Sequence, residues 1–163
     1  MGRLLTAMLL ALVIAMPCLG EENTASRLYF HKSAFSISAL EADDPGSTYT
    51  VLAMFLPVSD KFAPNVNIII QPYQKTLAEY ANLTRSQFKA GRFTIIQESF
   101  SADSVAWEYA GKMGELALHW YARAVRKGGL VYLVTATAAE TQWPALSGKL
   151  KECVDSFRVG GMK

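Results

Sequence analysis

At 163 residues, the chain has the length of one domain and can bury a sizeable core. Its formal charge of +2 comes from 16 Lys and Arg against 14 Asp and Glu. There is no basic run or stripe, which argues against nucleic acid as a partner. No repeat, low-complexity tract or Pro-rich linker interrupts it.

Met1-Gly2-Arg3 is a short positive start, Leu4 to Met16 is apolar, Pro17 breaks the run, and Cys18-Leu19-Gly20 precedes Glu21-Glu22. This is the order of a secretory signal peptide over residues 1–20, with cleavage expected after Gly20. The apolar run is shorter than the roughly 20 residues that span a bilayer, so an uncleaved anchor is the weaker reading. A second variant is a bacterial lipoprotein acylated at Cys18. Ala15-Met16-Pro17 lacks the small residues expected directly before such a cysteine. Membrane attachment is expected only if Cys18 is lipidated. Cleavage leaves Cys153 as a lone cysteine, without an internal disulfide partner, so stability must come from the core. Residues 21–26 read as a flexible leader and residues 160–163 as a C-terminal tail. Between them lies a single domain over residues 27–159.

Arg27 to His31 and Phe35 to Leu40 read as two short strands. Glu41 to Ser47 is a loop whose Asp-Pro-Gly is turn chemistry. Thr48 to Leu56 and Val66 to Gln71 read as a strand pair joined by a polar loop that carries Phe62. Thr76 opens the first helix, and Glu79 three residues on completes a capping box. Leu77, Tyr80, Thr84 and Phe88, with Ala81, recur at helical spacing and form one buried stripe. Gly91 is the expected C-terminal cap.

The stretch from Arg92 to Ala139 reads as an antiparallel meander of four strands. Val105, Trp107 and Tyr109 alternate with Ala106, Glu108 and Ala110, the period of a half-buried strand. In the next strand, Leu116, Leu118, Trp120, Ala122 and Ala124 face one way. Glu115, Ala117, His119, Tyr121, Arg123 and Val125 face the other. Lys127-Gly128-Gly129 supplies a tight turn. Leu130 to Ala138 is apolar on both faces apart from Thr135 and Thr137, as befits a central strand covered on both sides. The short connections require antiparallel pairing.

A second helix is expected from Gln142 to Arg158, with Thr141 as N-cap and Pro144 in the first turn. Trp143, Leu146, Leu150, Cys153 and Phe157 form its apolar stripe. Cys153 is read there as a small buried hydrophobe. The fold class is therefore α+β, an antiparallel twisted sheet with two main helices.

Several segments resemble the PsbP-like superfamily. They are Phe35-Ser36-Ile37, the strand from Pro64 to Pro72 (PNVNIIIQP), and Leu77-Ala78-Glu79-Tyr80 with Ser86-Gln87-Phe88. Gly129 to Thr137 and Asp155-Ser156-Phe157 complete the set. The superfamily includes the photosystem II subunit PsbP, a Ran-binding nuclear import factor and DcrB-like bacterial envelope proteins. The likeness spans Arg27 to Val159 and implies an α/β/α sandwich. It also implies a non-catalytic binding or assembly factor.

The chemistry-bearing residues are few. His119, Tyr121 and Arg123 share a strand face, with Glu108 on the neighbouring strand, and form the candidate interaction surface if that face is left uncovered. The alternative is a secreted hydrolase-like enzyme using His119 with a nearby carboxylate. His31 and His119 are not at metal-motif spacing, and Asp43-Asp44 has too few oxygen ligands for calcium. Gly111-Lys112 with Gly114 lacks the first glycine and the Ser or Thr of a phosphate loop. Asn82-Leu83-Thr84 matches a glycosylation sequon by coincidence of composition. No catalytic residue, metal or cofactor is therefore expected. The expected partner is a protein or peptide of the bacterial envelope.

Overall fold

The computed structural model describes residues 27–30, 35–38 and 49–160. The expected signal peptide, Cys18, the leader, His31, Asp43-Asp44 and residues 161–163 lie outside the described residues. The chain divides into two units, residues 1–41 and 42–163. In the first, β1 (Arg27–Phe30) pairs antiparallel with β2 (Phe35–Ser38), Arg27 opposite Ser38 and Phe30 opposite Phe35.

The second unit holds a six-stranded antiparallel sheet. Its strands are β3 (Tyr49–Phe55), β4 (Asn65–Pro72), β5 (Thr94–Phe100), β6 (Ser104–Met113), β7 (Leu116–Lys127) and β8 (Leu130–Ala139). Their order across the sheet is β3-β4-β8-β7-β6-β5. The expected meander is present as β5 to β8. Strand β8 lies between β4 and β7, as its two apolar faces require. The two glycines after β7 take positive φ, 60° and 77°, which a two-residue hairpin loop demands at both positions.

Register assigns the faces. Trp107 lies opposite Ala122, and Glu108 opposite Tyr121. Residues opposite one another share a face. On one face, Tyr80 and Ala81 of helix α1 (Leu77–Ala90) pack with Val105, Trp107, Ala124 and Val131. On the other, Trp143, Leu150 and Val154 of helix α2 (Trp143–Asp155) pack with Val66, Val134, Ala136 and Ala138. The unit is thus an α/β/α sandwich with one helix per face.

Helix α1 begins as expected. Thr76 Oγ1 accepts from the Glu79 N–H at 3.2 Å, and the Glu79 carboxylate accepts from the Thr76 N–H at 3.0 Å. Its end differs from the simple glycine cap. Gly91 keeps a helical φ of −78°, and Arg92 takes the left-handed position, φ 57°. The Phe93 N–H bonds the Phe88 carbonyl at 2.9 Å and the Arg92 N–H bonds the Lys89 carbonyl at 3.2 Å, a Schellman arrangement. Its apolar contact is the edge-to-face pair of Phe88 and Phe93, 6.2 Å apart. Gly91 is small because a Cβ there would lie 2.5 Å from the Phe93 ring. Two substitutions should therefore act in opposite directions in urea unfolding. Arg92→Gly relieves left-handed strain and is expected to stabilise by up to about 1 kcal/mol. Gly91→Ala overpacks the Phe93 ring and is expected to cost about 1–3 kcal/mol.

Helix α2 is shorter at both ends than its periodicity suggests. Its N-cap is Gln142, without a side-chain cap bond, and the Thr141 hydroxyl instead donates to Asp60 at 3.2 Å. Buried Gln142 fastens the β3–β4 connection. Its Oε1 accepts from the Ala139 N–H at 2.8 Å, and its Nε2 donates to the Ser59 carbonyl at 2.6 Å and the Phe62 carbonyl at 3.1 Å. After Asp155 the chain leaves the helix, and Phe157 packs on the edge of the α2 core from there. Cys153 is half-buried rather than buried. It lines an apolar groove with Met54, Phe55, Val66 and Leu150.

Candidate functional site

Strand β7 carries His119, Tyr121 and Arg123 to one face of the sheet, as alternation requires. That face is not open. Helix α2 lies across it, and His119 is only 6% exposed. The uncovered groove that the candidate interaction surface needed is therefore absent at His119. The physical reason is the apolar stripe of α2, which could be buried only against the Val66, Val134 and Ala136 side of the sheet.

Beneath α2 the polar groups form a closed cluster. His119 Nε2 sits 3.0 Å from Glu108 Oε1, and Nδ1 sits 3.1 Å from Glu140 Oε2. The imidazole stacks on the Trp143 ring, with centroids 4.1 Å apart and planes 15° apart. The Trp143 indole N–H donates to Glu108 Oε1 at 3.2 Å, and Lys151 Nζ donates to Glu108 Oε2 at 2.7 Å. Glu108 thus accepts from β7 and, twice, from α2. Burial by itself raises its pKa. The hydrogen bonds from Lys151 and His119, helped by the Lys151 charge and the Trp143 N–H, outweigh it and hold the carboxyl below its ordinary value.

The other two expected residues go to the rim. The Tyr121 hydroxyl donates to Asp155 Oδ1 at 3.0 Å. Burial, with that hydrogen bond, pushes its pKa up to about 12. Arg123 donates through Nε to Ser104 Oγ at 3.3 Å and through a terminal nitrogen to the Asp155 and Phe157 carbonyls, each at 3.4 Å. It therefore ties the chain after α2 to the end of the sheet.

The α1 face repeats the device with other residues. The Glu98 carboxylate accepts the Trp107 indole N–H and a bidentate pair from Arg85 of α1, with Nη2 to Oε2 at 2.8 Å. Each helix is thereby joined to the sheet by one carboxylate that takes a Trp N–H and a helix cation. Such charge-assisted, forked contacts fix orientation as well as adding energy.

Sequence reasoning brought Glu108 to His119 and missed Glu140 and Lys151. A signal for Lys151 existed: it lies eight residues after Trp143, on the same helix stripe. Glu140 carried none, because it sits just past β8 and reaches His119 only through the β7–β8 register. Among the described residues, no group of three His, Cys, Asp or Glu is arranged to hold a metal ion. Among the same residues, no helix is long and apolar enough to cross a membrane.

No protein-family model matches the sequence, and no curated protein matches it. Solved structures do. PA94 from Pseudomonas aeruginosa, a protein of unknown function labelled a regulator, is 14% identical with a TM-score of 0.60. The match covers 84% of this chain and 98% of that one. CyanoP, the PsbP of the cyanobacterium Synechocystis sp. PCC 6803, is 15% identical with a TM-score of 0.48, over 66% of this chain and 82% of that one. LpqN of Mycobacterium tuberculosis, involved in cell envelope biogenesis, is 13% identical with a TM-score of 0.43, over 71% and 84%. At these identities what is shared is the fold alone, and the likeness to PA94 covers the α/β/α sandwich described above.

Proposed function

We propose that this protein is an exported, non-catalytic binding or assembly factor of the bacterial cell envelope. The observation that carries the reading is the saturation of His119. Both ring nitrogens face carboxylates of the same domain, and the ring face is stacked on Trp143. A general base needs hydrogen-bond reach to a substrate proton, and α2 stands in that path. The signal-like order of residues 1–20 supports export.

The two outer strands support binding. Phe55 on β3 is 67% exposed, and Ile96 and Phe100 on β5 are also exposed. Apolar side chains on a sheet edge beside unpaired backbone groups are what partner strands and surfaces use.

Two tests separate this reading from an enzyme. His119→Ala leaves Glu108 and Glu140 each short of a partner, so it is expected to lower the unfolding free energy by about 1–3 kcal/mol. A catalytic His119 would instead lose turnover with stability unchanged. For binding, a photo-crosslinking amino acid placed at Phe55 or Phe100 in living cells is expected to capture an envelope protein. The same probe at exposed Glu115 is the control. Adducts at neither strand, or a reporter fused after residue 26 that stays in the cytoplasm, would contradict the proposal.

A further inference from the structure

At the far end of the same sheet face, three cationic side chains from two segments meet around one cavity of about 340 Å³. Arg123 and Lys127 come from the end of β7, and Arg158 from the chain after α2. Arg126 borders the cavity, but alternation turns its side chain to the α1 face, where it donates to the Gln74 carbonyl. Asp103, from the β5–β6 turn, is the single carboxylate in the wall. Val125, Phe157 and Val159 supply the apolar part. Three of the chain's 16 cationic side chains therefore line one pocket with one of its 14 carboxylates.

Like charges repel, and such convergence destabilises a fold unless something offsets it. Among the described residues, none of the three has a carboxylate within ion-pair distance, whereas Arg85, His119 and Lys151 all do. Their known partners are neutral oxygens. Arg123 donates to the Asp155 and Phe157 carbonyls, Lys127 to the Val159 carbonyl, and Arg158 to the Asp155 and Phe157 carbonyls. Each guanidinium carries five N–H groups, so most of the donor capacity around this cavity is unspent.

We propose that this pocket binds a phosphate group, the tetrahedral anion that forked guanidinium donors match. The carbonyl contacts hold Arg123 and Arg158 in place beforehand, so less side-chain freedom is lost on binding. The apolar wall of Val125, Phe157 and Val159 leaves room for an organic substituent on that phosphate. The same chemistry arrives either as a small soluble phosphate or as a phospholipid headgroup.

The test uses the protein as purified from its host, at constant ionic strength so that general screening cannot mimic a site. Inorganic phosphate is titrated by calorimetry, and phosphatidylglycerol vesicles are tested by co-sedimentation against phosphatidylcholine vesicles. Saturable phosphate binding identifies a pocket for soluble phosphates; phosphatidylglycerol-dependent sedimentation without it identifies a headgroup site. In either case the double substitution Lys127→Gln with Arg158→Gln is expected to weaken binding at least tenfold. Lys89→Gln, on α1 away from the pocket, is expected to leave it unchanged. Lys127 is exposed and neither side chain is in the core, and an unchanged melting temperature verifies folding. Should that pair unfold the protein, Lys127→Gln alone is measured and is expected to weaken binding several-fold. Absence of both kinds of binding, or equal losses in the Lys89 and pocket variants, would overturn the proposal.

Discussion

Replacing Trp107 by alanine is expected to lower the unfolding free energy by about 3–5 kcal/mol, the range for removing a large aromatic from a core. Domains of this size are held by about 5–15 kcal/mol in total, so about a fifth or more of the stability rests on one side chain. Trp107 is 1% exposed. It meets Tyr80 and Phe88 of α1 at ring distances of 6.5 Å and 6.1 Å, and its N–H reaches Glu98 beside the Arg85 guanidinium. Alanine would leave a void beneath α1 and remove one donor from Glu98. Trp107→Phe separates the two losses. It keeps most of the packing, leaves Arg85 on Glu98, and is expected to cost about 1–2 kcal/mol. Urea unfolding should show a lower midpoint for both with the slope unchanged. A Trp107→Ala loss under about 1 kcal/mol would mean that α1 does not seal this face.

Glu108→Ala is the second large effect, on the opposite face. It takes the acceptor away from His119, Trp143 and Lys151 together. Orphaned buried donors cost about 1–3 kcal/mol, and breaking a buried ion pair about 3–5 kcal/mol. Lys151 is one-third exposed and recovers some hydration, so a loss of about 2–3 kcal/mol is expected. The pH dependence follows from the carboxyl being held below its ordinary value of 4.5. In the unfolded chain Glu108 takes up a proton more readily than in the fold. Its contribution is therefore fully present above about pH 4.5 and is lost as pH falls through the folded value. Glu108→Gln is expected to lose stability at neutral pH and to show a shallower further loss in acid than the parent. Parallel acid limbs for the two proteins would show that Glu108 is not held by Lys151 and His119.

Much of this was legible because β-strands alternate. The run Val105 to Ala110 and the run Leu116 to Val125 assign faces by counting in twos. That puts His119, Tyr121 and Arg123 together, with Glu108 beside them, by alternation alone. The doubly apolar Leu130 to Ala138 announced a central strand, and Thr76 with Glu79 announced a helix start. What counting could not supply is which element covers which face, since that is decided by volumes and not by periods. The placement of α2 over His119 turned a candidate open surface into a closed one. The caps show a second limit. Gly91 reads as a left-handed glycine, yet it is small because the Phe93 ring lies against it, and Arg92 takes the left-handed turn. Thr141 reads as an N-cap, yet Asp60, far away in sequence, engages its hydroxyl. The basic pocket is the third case. Arg123 and Lys127 lie near one another on one strand face, but Arg158 joins them only because α2 ends where it does, so no basic stripe is visible along the chain.

The central claim is that the face bearing His119 is closed by α2 and stays closed. Native-state hydrogen exchange tests it directly, because local opening and global unfolding are separable by their free energies. At neutral pH the amides of Leu150 and Val154 are expected to exchange with the same free energy as those of Ala122 in β7 and Ala136 in β8. Opening of α2 at several kcal/mol below the sheet would contradict the claim, and would return His119 to solvent as an accessible base.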